Sequence, residues 1–557
     1  MALTNGQTRE TLANDMWQAC KILRRDNNCG GVMEYIEHLA WLLFLRFLDA
    51  QEDIWQTEAA LEGKTYQRIL EGDLAWANWA RKDWPADDLI QFVHTRLIPS
   101  LQSLHGDPFR ETISSIFSER NVVVCASGYN LKDVLKLVDE IDFLNQDDVY
   151  TVSHVYETLL KRLGNENKVA GEFYTPRPII RFMVEVIDPQ LGETVYDPAC
   201  GSGGFLAAAF DHIRSHNPDR TIEQEIFLQT QTFYGNEKKA VPALLGMMNL
   251  ALHGVTSPKI RRRNTLEEPM KTTPAERFDV VLTNPPFGGT ENEAVQDNFP
   301  VKSNATELLF IEHIMKKLKS GAGKRCAMVV PEGTLFGGGA FATVKKDLLE
   351  QFNLFMVVSL PPGSFAPYAD VKTALLFFER PGPTQEVLYY ELPIPEGLKK
   401  FSKGSPIGDE HFEELRQIWQ AWQKYRQQGG ERPFGLAAEL REQWRVHRLW
   451  EAYRNDTTGK ASRPEANAGD SELALKAHQA EGPRPTDQVN AWIERYDDIQ
   501  IKEFDLTAAN PHSSPEQDIP KPWEITTTLL ERLRELTLII ESLNKELGNG
   551  DSDNVIE

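Results

Sequence analysis

The chain has 557 residues, 41% hydrophobic and 25% charged, with a formal net charge of −22. It is too long for one core and should divide into roughly two to four domains, and no run of about eighteen apolar residues is present to span a membrane. So large an acidic excess argues against a protein that grips nucleic acid unaided, which needs a basic stripe over the phosphates; the basic clusters are short, Arg261 to Arg263 and Lys316, Lys317, Lys319, Lys324 and Arg325.

Residues 1–165 read as a helical domain. Trp17, Ile22 and Leu23 precede a helix near 33–49, built around an apolar patch from Leu39 to Leu45 that Arg46 interrupts. Leu70, Leu89, Phe92 and Leu97 follow at helical intervals, and a further amphipathic helix is expected over 150–166. The strand signal in this region is Val122-Val123-Val124-Cys125. Five cysteines (Cys20, Cys29, Cys125, Cys200, Cys326) show no CxxC or CxxH spacing. Their spacing indicates neither a zinc site nor a disulfide scaffold, so no metal is expected, and the cytoplasm is the default compartment.

From 166 to 385 strands and helices alternate. Strands are expected at 193–196, 231–235, 278–283, 325–330, 353–360 and 374–379, and helices at 204–215, 238–253, 305–319 and 340–351. That alternation predicts an α/β fold with a doubly wound, Rossmann-like sheet. The connection from Pro361 to Tyr368 is too short for a helical crossover, which predicts one antiparallel strand at the sheet edge. Beyond 385 strand signals fade. Residues 386–453 read as a helical extension, with Phe412, Leu415, Ile418, Trp419 and Trp422 on one side of a helix over 409–428. Residues 454–487, rich in Ala, Gly, Pro, Asp and Lys, read as a linker or insertion. The segment 488–557 ends in a helix where Leu529, Leu533, Leu536, Ile540, Leu543 and Leu547 recur at steps of four and three. That is a coiled-coil seam suited to docking a partner, internal packing being the plainer alternative.

Two loops carry chemistry. Asp197-Pro198-Ala199-Cys200-Gly201-Ser202-Gly203-Gly204 follows the strand Thr194-Val195-Tyr196 and leads into Phe205-Leu206-Ala207, so it reads as strand, glycine turn, helix. Such a turn lets backbone approach a nucleotide-like ligand and aims helix N–H groups at it. Asp197 can accept from an amino group, and Glu237, at the end of the next strand, is placed for the hydroxyls of a ribose. Glycines and strand-end acids also occur for steric reasons alone. The second loop, Asn284-Pro285-Pro286-Phe287, follows the strand Phe278 to Thr283 at its carboxyl end, where ligands of open α/β sheets bind.

An exocyclic aromatic amine is a poor nucleophile because its lone pair is delocalised into the ring. Two acceptors that take both N–H hydrogens free that pair, and the Asn284 side-chain oxygen and Pro285 carbonyl are suited to the task. Successive prolines fix the loop and add no competing donor, while Phe287 can stack on a base turned out of its helix. By itself the tetrapeptide could be a rigid turn; after the glycine loop it reads as methyl transfer to an exocyclic amine. Cys200, beside Ala199 and Gly201 with no adjacent base, reads as a small turn residue and not a nucleophile.

In order and wording these motifs resemble the γ-class amino-methyltransferases, and within them the modification subunits of type I restriction–modification systems. Gly171-Glu172-Phe173-Tyr174-Thr175-Pro176-Arg177-Pro178 is similar to the family's segment ahead of the glycine loop. Asn249 to Gly254, Leu360 to Phe365, Val371 to Phe378, Phe504 to Pro511 and the region from Trp17 to Phe47 resemble stretches typical of the type I subunits. The resemblance implies S-adenosyl-L-methionine as cofactor. It implies contacts from Glu172, Phe173, Tyr174, Thr175, Pro176 and Arg177, from Asp197, Gly201, Ser202, Gly203 and Gly204, and from Glu237 to the ribose. It further implies that Asn284, Pro285, Pro286 and Phe287 act on the N6 amine of adenine in DNA. Asn264 departs from the family, which commonly has an acid there, but it can still accept from the cofactor's adenine amine.

The same resemblance implies partners: a specificity subunit that reads the DNA and docks through Leu533, Leu536, Ile540 and Leu543, a second copy of the chain, and a restriction subunit. An acidic catalytic chain suits that division of labour. A protein-glutamine or RNA methyltransferase using the same loop, or a non-catalytic interaction subunit, are the alternatives.

Overall fold

The computed structural model describes residues 9–118, 124–143, 175–437 and 490–507, apart from 62, 256–257, 269–272 and 367–370, together with Tyr156, Thr158, Leu440, Asn510 and Pro511. Glu172, Phe173 and Tyr174, the linker 454–487 and the C-terminal heptad helix lie outside the described residues, as does most of the helix expected over 150–166.

The N-terminal region is helical, as its periodicity predicts. In α1 (Arg9–Arg24) the buried residues Leu12, Met16, Ala19 and Leu23 recur at steps of three and four, one stripe of the helix. In α2 (Val32–Leu61) every residue from Leu39 to Leu45 is buried, so this helix runs through the middle of the bundle. Asp107 opens α3 (Pro108–Phe117), its carboxylate accepting the N–H groups of Phe109 and Arg110 at 2.9 Å each. Ser127 caps α4 (Gly128–Asp139). Val124 and Cys125 lie in a loop, not a strand. No helix among the described residues is long and apolar enough to cross a membrane.

The catalytic-domain strands are β1 (Val195–Asp197), β2 (Phe233–Glu237), β3 (Lys259–Arg262), β4 (Val280–Thr283), β5 (Arg325–Pro331), β6 (Asn353–Leu360), β7 (Thr373–Glu379), β8 (Glu386–Glu391) and β9 (Ala491–Arg495). They form one sheet in the order β3-β2-β1-β4-β5-β7-β6-β8-β9. Strands β1 to β5 are mutually parallel neighbours, and β7 is antiparallel to both β5 and β6. The strand order reverses between β1 and β4, which is where a doubly wound sheet opens a ligand crevice beyond its carboxyl ends.

Two expectations need correction. The antiparallel strand β7 lies inside the sheet, not at its edge, because Thr373 to Phe378 are buried on both faces and need neighbours on both sides. The chain also does not lose strands after 385: β8 pairs with β6, and β9 returns from far along the sequence to pair with β8. Their signals are short, an apolar run bounded by Glu386 and Glu391 and another bounded by Glu494 and Arg495.

The expected helices are present as α6 (Gly204–His216), α7 (Ala240–His253), α8 (Thr306–Lys317), α9 (Ala340–Gln351) and α10 (Glu413–Gln428), while α5 (Arg177–Ile187) and a helix over Ile222–Thr230 are additional to that reading. Leu415, Ile418, Trp419 and Trp422 of α10 are buried, and the Trp422 indole N–H donates to the Phe355 carbonyl of β6 at 3.0 Å. Helix α7 is buried almost all round, because it packs on the sheet with one side and on α2 and α3 of the N-terminal bundle with the other.

Candidate active site

Three strand ends meet at the reversal point. Asp197 closes β1 and is buried; its Oδ1 accepts the Thr283 hydroxyl from the end of β4 at 2.7 Å and the Ala199 N–H at 3.0 Å. Glu237 closes β2, with one carboxylate oxygen accepting the Gly201 N–H at 3.0 Å and the other the Lys239 N–H at 2.8 Å. Burial pushes Asp197 up to about 7, against the lowering effect of its two hydrogen bonds and with a further upward push from Glu237. Burial also raises Glu237.

The glycine turn is fitted to α7. Gly203 has φ +73°, a left-handed backbone that glycine adopts without strain, and a Cβ there would stand 3.2 Å from the Gly246 Cα. Gly246 is equally confined, its missing Cβ lying 2.9 Å from the Gly201 carbonyl. One turn further along α7 the Asn249 amide donates to the Ser202 carbonyl at 2.9 Å. From the other side Arg177, at the start of α5, donates to the Gly204 carbonyl at 3.2 Å.

The proline loop enters the same pocket. Thr175, Arg177, Ile180, Asp197, Ala199, Cys200, Gly201, Ser202, Gly204, Phe205 and Asn284 line it together. The Asn284 amide donates to the Thr175 hydroxyl at 3.0 Å, while its Oδ1 is buried and accepts no hydrogen bond. An unpaired buried acceptor is costly, and one kept at the wall of a pocket is a feature to be explained by a ligand. Pro285 is buried, Pro286 exposed and Phe287 half-buried, its ring edge-on to Phe365 with centroids 5.8 Å apart.

Of the residues singled out in the sequence, the structure therefore gathers Thr175, Arg177, Asp197, Gly201, Ser202, Gly204 and Asn284 around one pocket. Pro176, Gly203 and Pro285 adjoin it through their chain neighbours without lining it, Glu237 reaches it through its bond to the Gly201 N–H, and Pro286 and Phe287 continue the loop beyond Pro285. Asn264 does not line it either: its Oδ1 accepts the Leu266 N–H at 3.2 Å, and its amide faces Glu267 and Glu291. Sequence reading missed Thr283 and Ile180, whose roles depend on neighbours distant in the chain. Cys200 is buried, and burial beside Asp197 and Glu237 pushes its thiol well up, which keeps it inert.

Comparison with known proteins gives a consistent match. The model of the N-6 DNA Methylase family matches residues 146–442, and that of the HsdM N-terminal domain matches residues 12–138. The chain is 40% identical over 407 residues to the type I restriction enzyme EcoEI methylase subunit of Escherichia coli, covering 72% of this chain and 81% of that protein. It is 27% identical over 573 residues to the EcoKI methylase subunit of Escherichia coli strain K12, covering 97% and 96%. Among solved structures, a chain from work on assembly and conformational transition of the type I R-M system is 56% identical. It superposes with a TM-score of 0.77 over 98% of this chain and all of that one. A modification subunit of a type I restriction enzyme from Vibrio vulnificus YJ016 is 40% identical, with a TM-score of 0.65 over 75% and 91%.

Proposed function

The chain belongs to the N-6 DNA methylase family, as a modification subunit of the type I restriction–modification kind, and from that premise we propose that it transfers a methyl group from S-adenosyl-L-methionine to the N6 amine of adenine in DNA. The observation that carries this reading is the buried, unpartnered Oδ1 of Asn284 in a pocket shared with the glycine turn. Family membership disfavours the protein-glutamine, RNA and non-catalytic alternatives.

The residues present fit the cofactor. Asp197 offers a buried carboxylate to an ammonium group, and the turn from Gly201 to Gly204 brings bare backbone to the pocket wall. Bound there, S-adenosyl-L-methionine supplies a methyl group activated by its sulfonium. Asp197 and Arg177 hold its amino-acid end, with Glu172, Phe173, Tyr174, Pro176 and Ser202 beside them, and Glu237 takes the ribose hydroxyls. Asn284 Oδ1 and the Pro285 carbonyl accept the two N–H hydrogens of the target amine, turning its lone pair outward. The Thr175 hydroxyl accepts from the Asn284 amide, which leaves Oδ1 to face the amine. Pro286 stiffens the loop and Phe287 stacks on the extruded base. Positioning supplies the rate.

The experiment that tests the reading is co-purification of the chain with its neighbours, followed by mapping of modified adenines in host DNA. Finding no N6-methyladenine above a deletion strain, with all partners present, overturns it.

Asp197 gives the binding step a pH dependence. Its carboxyl is neutral below about 7 and charged above it, and only the charged form attracts an ammonium group. Cofactor affinity is therefore expected to rise as pH increases from about 6 to about 8, since a one-unit shift changes the charged fraction several-fold. In Asp197→Asn the affinity should be weaker and the profile flat; a wild-type profile flat over this range would remove Asp197 from the contact.

Likeness to type I modification subunits implies the partners, a specificity subunit, a second copy of the chain and a restriction subunit, and the acidic charge suits leaving DNA affinity and sequence choice to the first of them. Docking is assigned to the heptad helix at the C-terminus. Deleting residues 524–557 is expected to shift the complex to free subunits on size-exclusion chromatography, and undiminished assembly would refute that assignment.

A further inference from the structure

Away from this pocket, three potential ligands converge inside the N-terminal bundle. Cys29 comes from the turn between α1 and α2, His38 from α2, and Cys125 from the loop before α4. All three are buried, and their ligand atoms lie within 4.8 Å of one another. The His38 Nε2 is 2.9 Å from the Cys125 Sγ and 3.3 Å from the Cys125 backbone nitrogen. Because that backbone N–H donates to Nε2, the ring proton sits on Nδ1, and a metal ion on the Cys125 side would take the Nε2 lone pair in place of this hydrogen bond. This is the tautomer a metal-binding imidazole requires. Nδ1 is buried with no hydrogen-bond partner, so Nε2 is the ring atom the packing places toward Cys125.

The surrounding backbone is braced to hold the cluster. Asp26 accepts the N–H groups of Ala126 at 2.8 Å and Ser127 at 3.0 Å, and the Asn28 amide donates to the Val124 carbonyl at 3.1 Å. These bonds tie the turn bearing Cys29 to the loop bearing Cys125 without using any of the three ligand atoms. The cluster thus joins segments 87 residues apart in the chain.

We propose that Cys29, His38 and Cys125 bind one thiophilic d10 metal ion, Zn2+ or Cu+, that staples the N-terminal bundle. Two thiolates and one imidazole are a soft donor set. Around a zinc ion such donors stand roughly 3.4–3.8 Å apart, which small rotations of the three side chains provide. Binding releases the two thiol protons, and the fourth position of a zinc ion is left to a small exogenous ligand. A Cu+ ion is satisfied by three.

The test uses the full-length chain, purified untagged under reducing conditions and analysed for metal by mass spectrometry. About one equivalent of zinc or copper per chain is expected, the element found distinguishing the two ions. Titration of metal-stripped protein with Co2+ alone should produce a near-ultraviolet thiolate charge-transfer band. That band should be lost in Cys29→Ser and Cys125→Ser and kept in Cys20→Ser and Cys326→Ser. Three outcomes overturn the proposal: wild-type protein with under a tenth of an equivalent of metal and no cobalt band, a Cys29–Cys125 disulfide in freshly isolated protein, or a full band in both serine variants. The first two need no variant to fold.

Discussion

Replacing Asn284 by alanine should lower methyl transfer by on the order of 10²–10³-fold or more while leaving cofactor affinity within about twofold. The asymmetry follows from where the side chain spends its two ends. Its amide is held by the Thr175 hydroxyl, and its Oδ1 is buried with nothing to accept from. In the resting protein that oxygen costs about 1–3 kcal/mol of lost solvation. The cost is recovered when an amine hydrogen arrives, so the residue favours the reacting complex over the free enzyme. Two readouts separate this role from a structural one. Single-turnover rates should collapse in Asn284→Ala, and thermal stability should hold or rise slightly, because the unsatisfied acceptor has gone. Retained activity, or a fall in stability large enough to explain the loss, would count against the assignment. Phe287→Ala should act differently, since its half-buried ring braces on Phe365 and meets the base, not the amine. Base–aromatic stacking is worth about 1–3 kcal/mol. A fall in kcat/KM for DNA of roughly 10–100-fold is expected, with binding of the cofactor unaltered.

Gly203→Asp should abolish cofactor binding, by at least about a hundredfold in titration calorimetry. The position tolerates no side chain for two independent reasons. Its φ of +73° is strained for an L residue, and its Cβ would press on the Gly246 backbone 3.2 Å away. A carboxylate would also bring a third acidic group to a turn already flanked by Asp197 and Glu237. Gly203→Ala keeps the steric conflict without the charge and should fall between the two, which apportions the loss. Unchanged binding in Gly203→Asp would remove the turn from the site.

Much of this was legible in the chain before any coordinates. The six strands expected between 166 and 385 are present because each is an apolar run ended by a turn or an acid, and the reversal between β1 and β4 places both motifs on one edge. What escaped is equally physical. Strand β3 is Lys259-Ile260-Arg261-Arg262, a charged edge strand with almost no apolar signal. Strand β9 is separated from β8 by a long insertion, so local pattern could not pair them. The place of β7 depends on the burial of both its faces, which the loop length alone did not reveal. Spacing along the chain could not show that Cys29, His38 and Cys125 meet, because three segments must first be packed and no short motif marks them.

Helix α7 has one further implication. Gly246 and Asn249 touch the glycine turn directly, and the opposite flank of the same helix lies beneath the amino-terminal bundle. One buried helix thus bridges the amino-terminal bundle and the backbone of the donor turn. A substitution on the bundle flank of that helix is therefore expected to alter cofactor affinity in titration calorimetry although it lies outside the pocket.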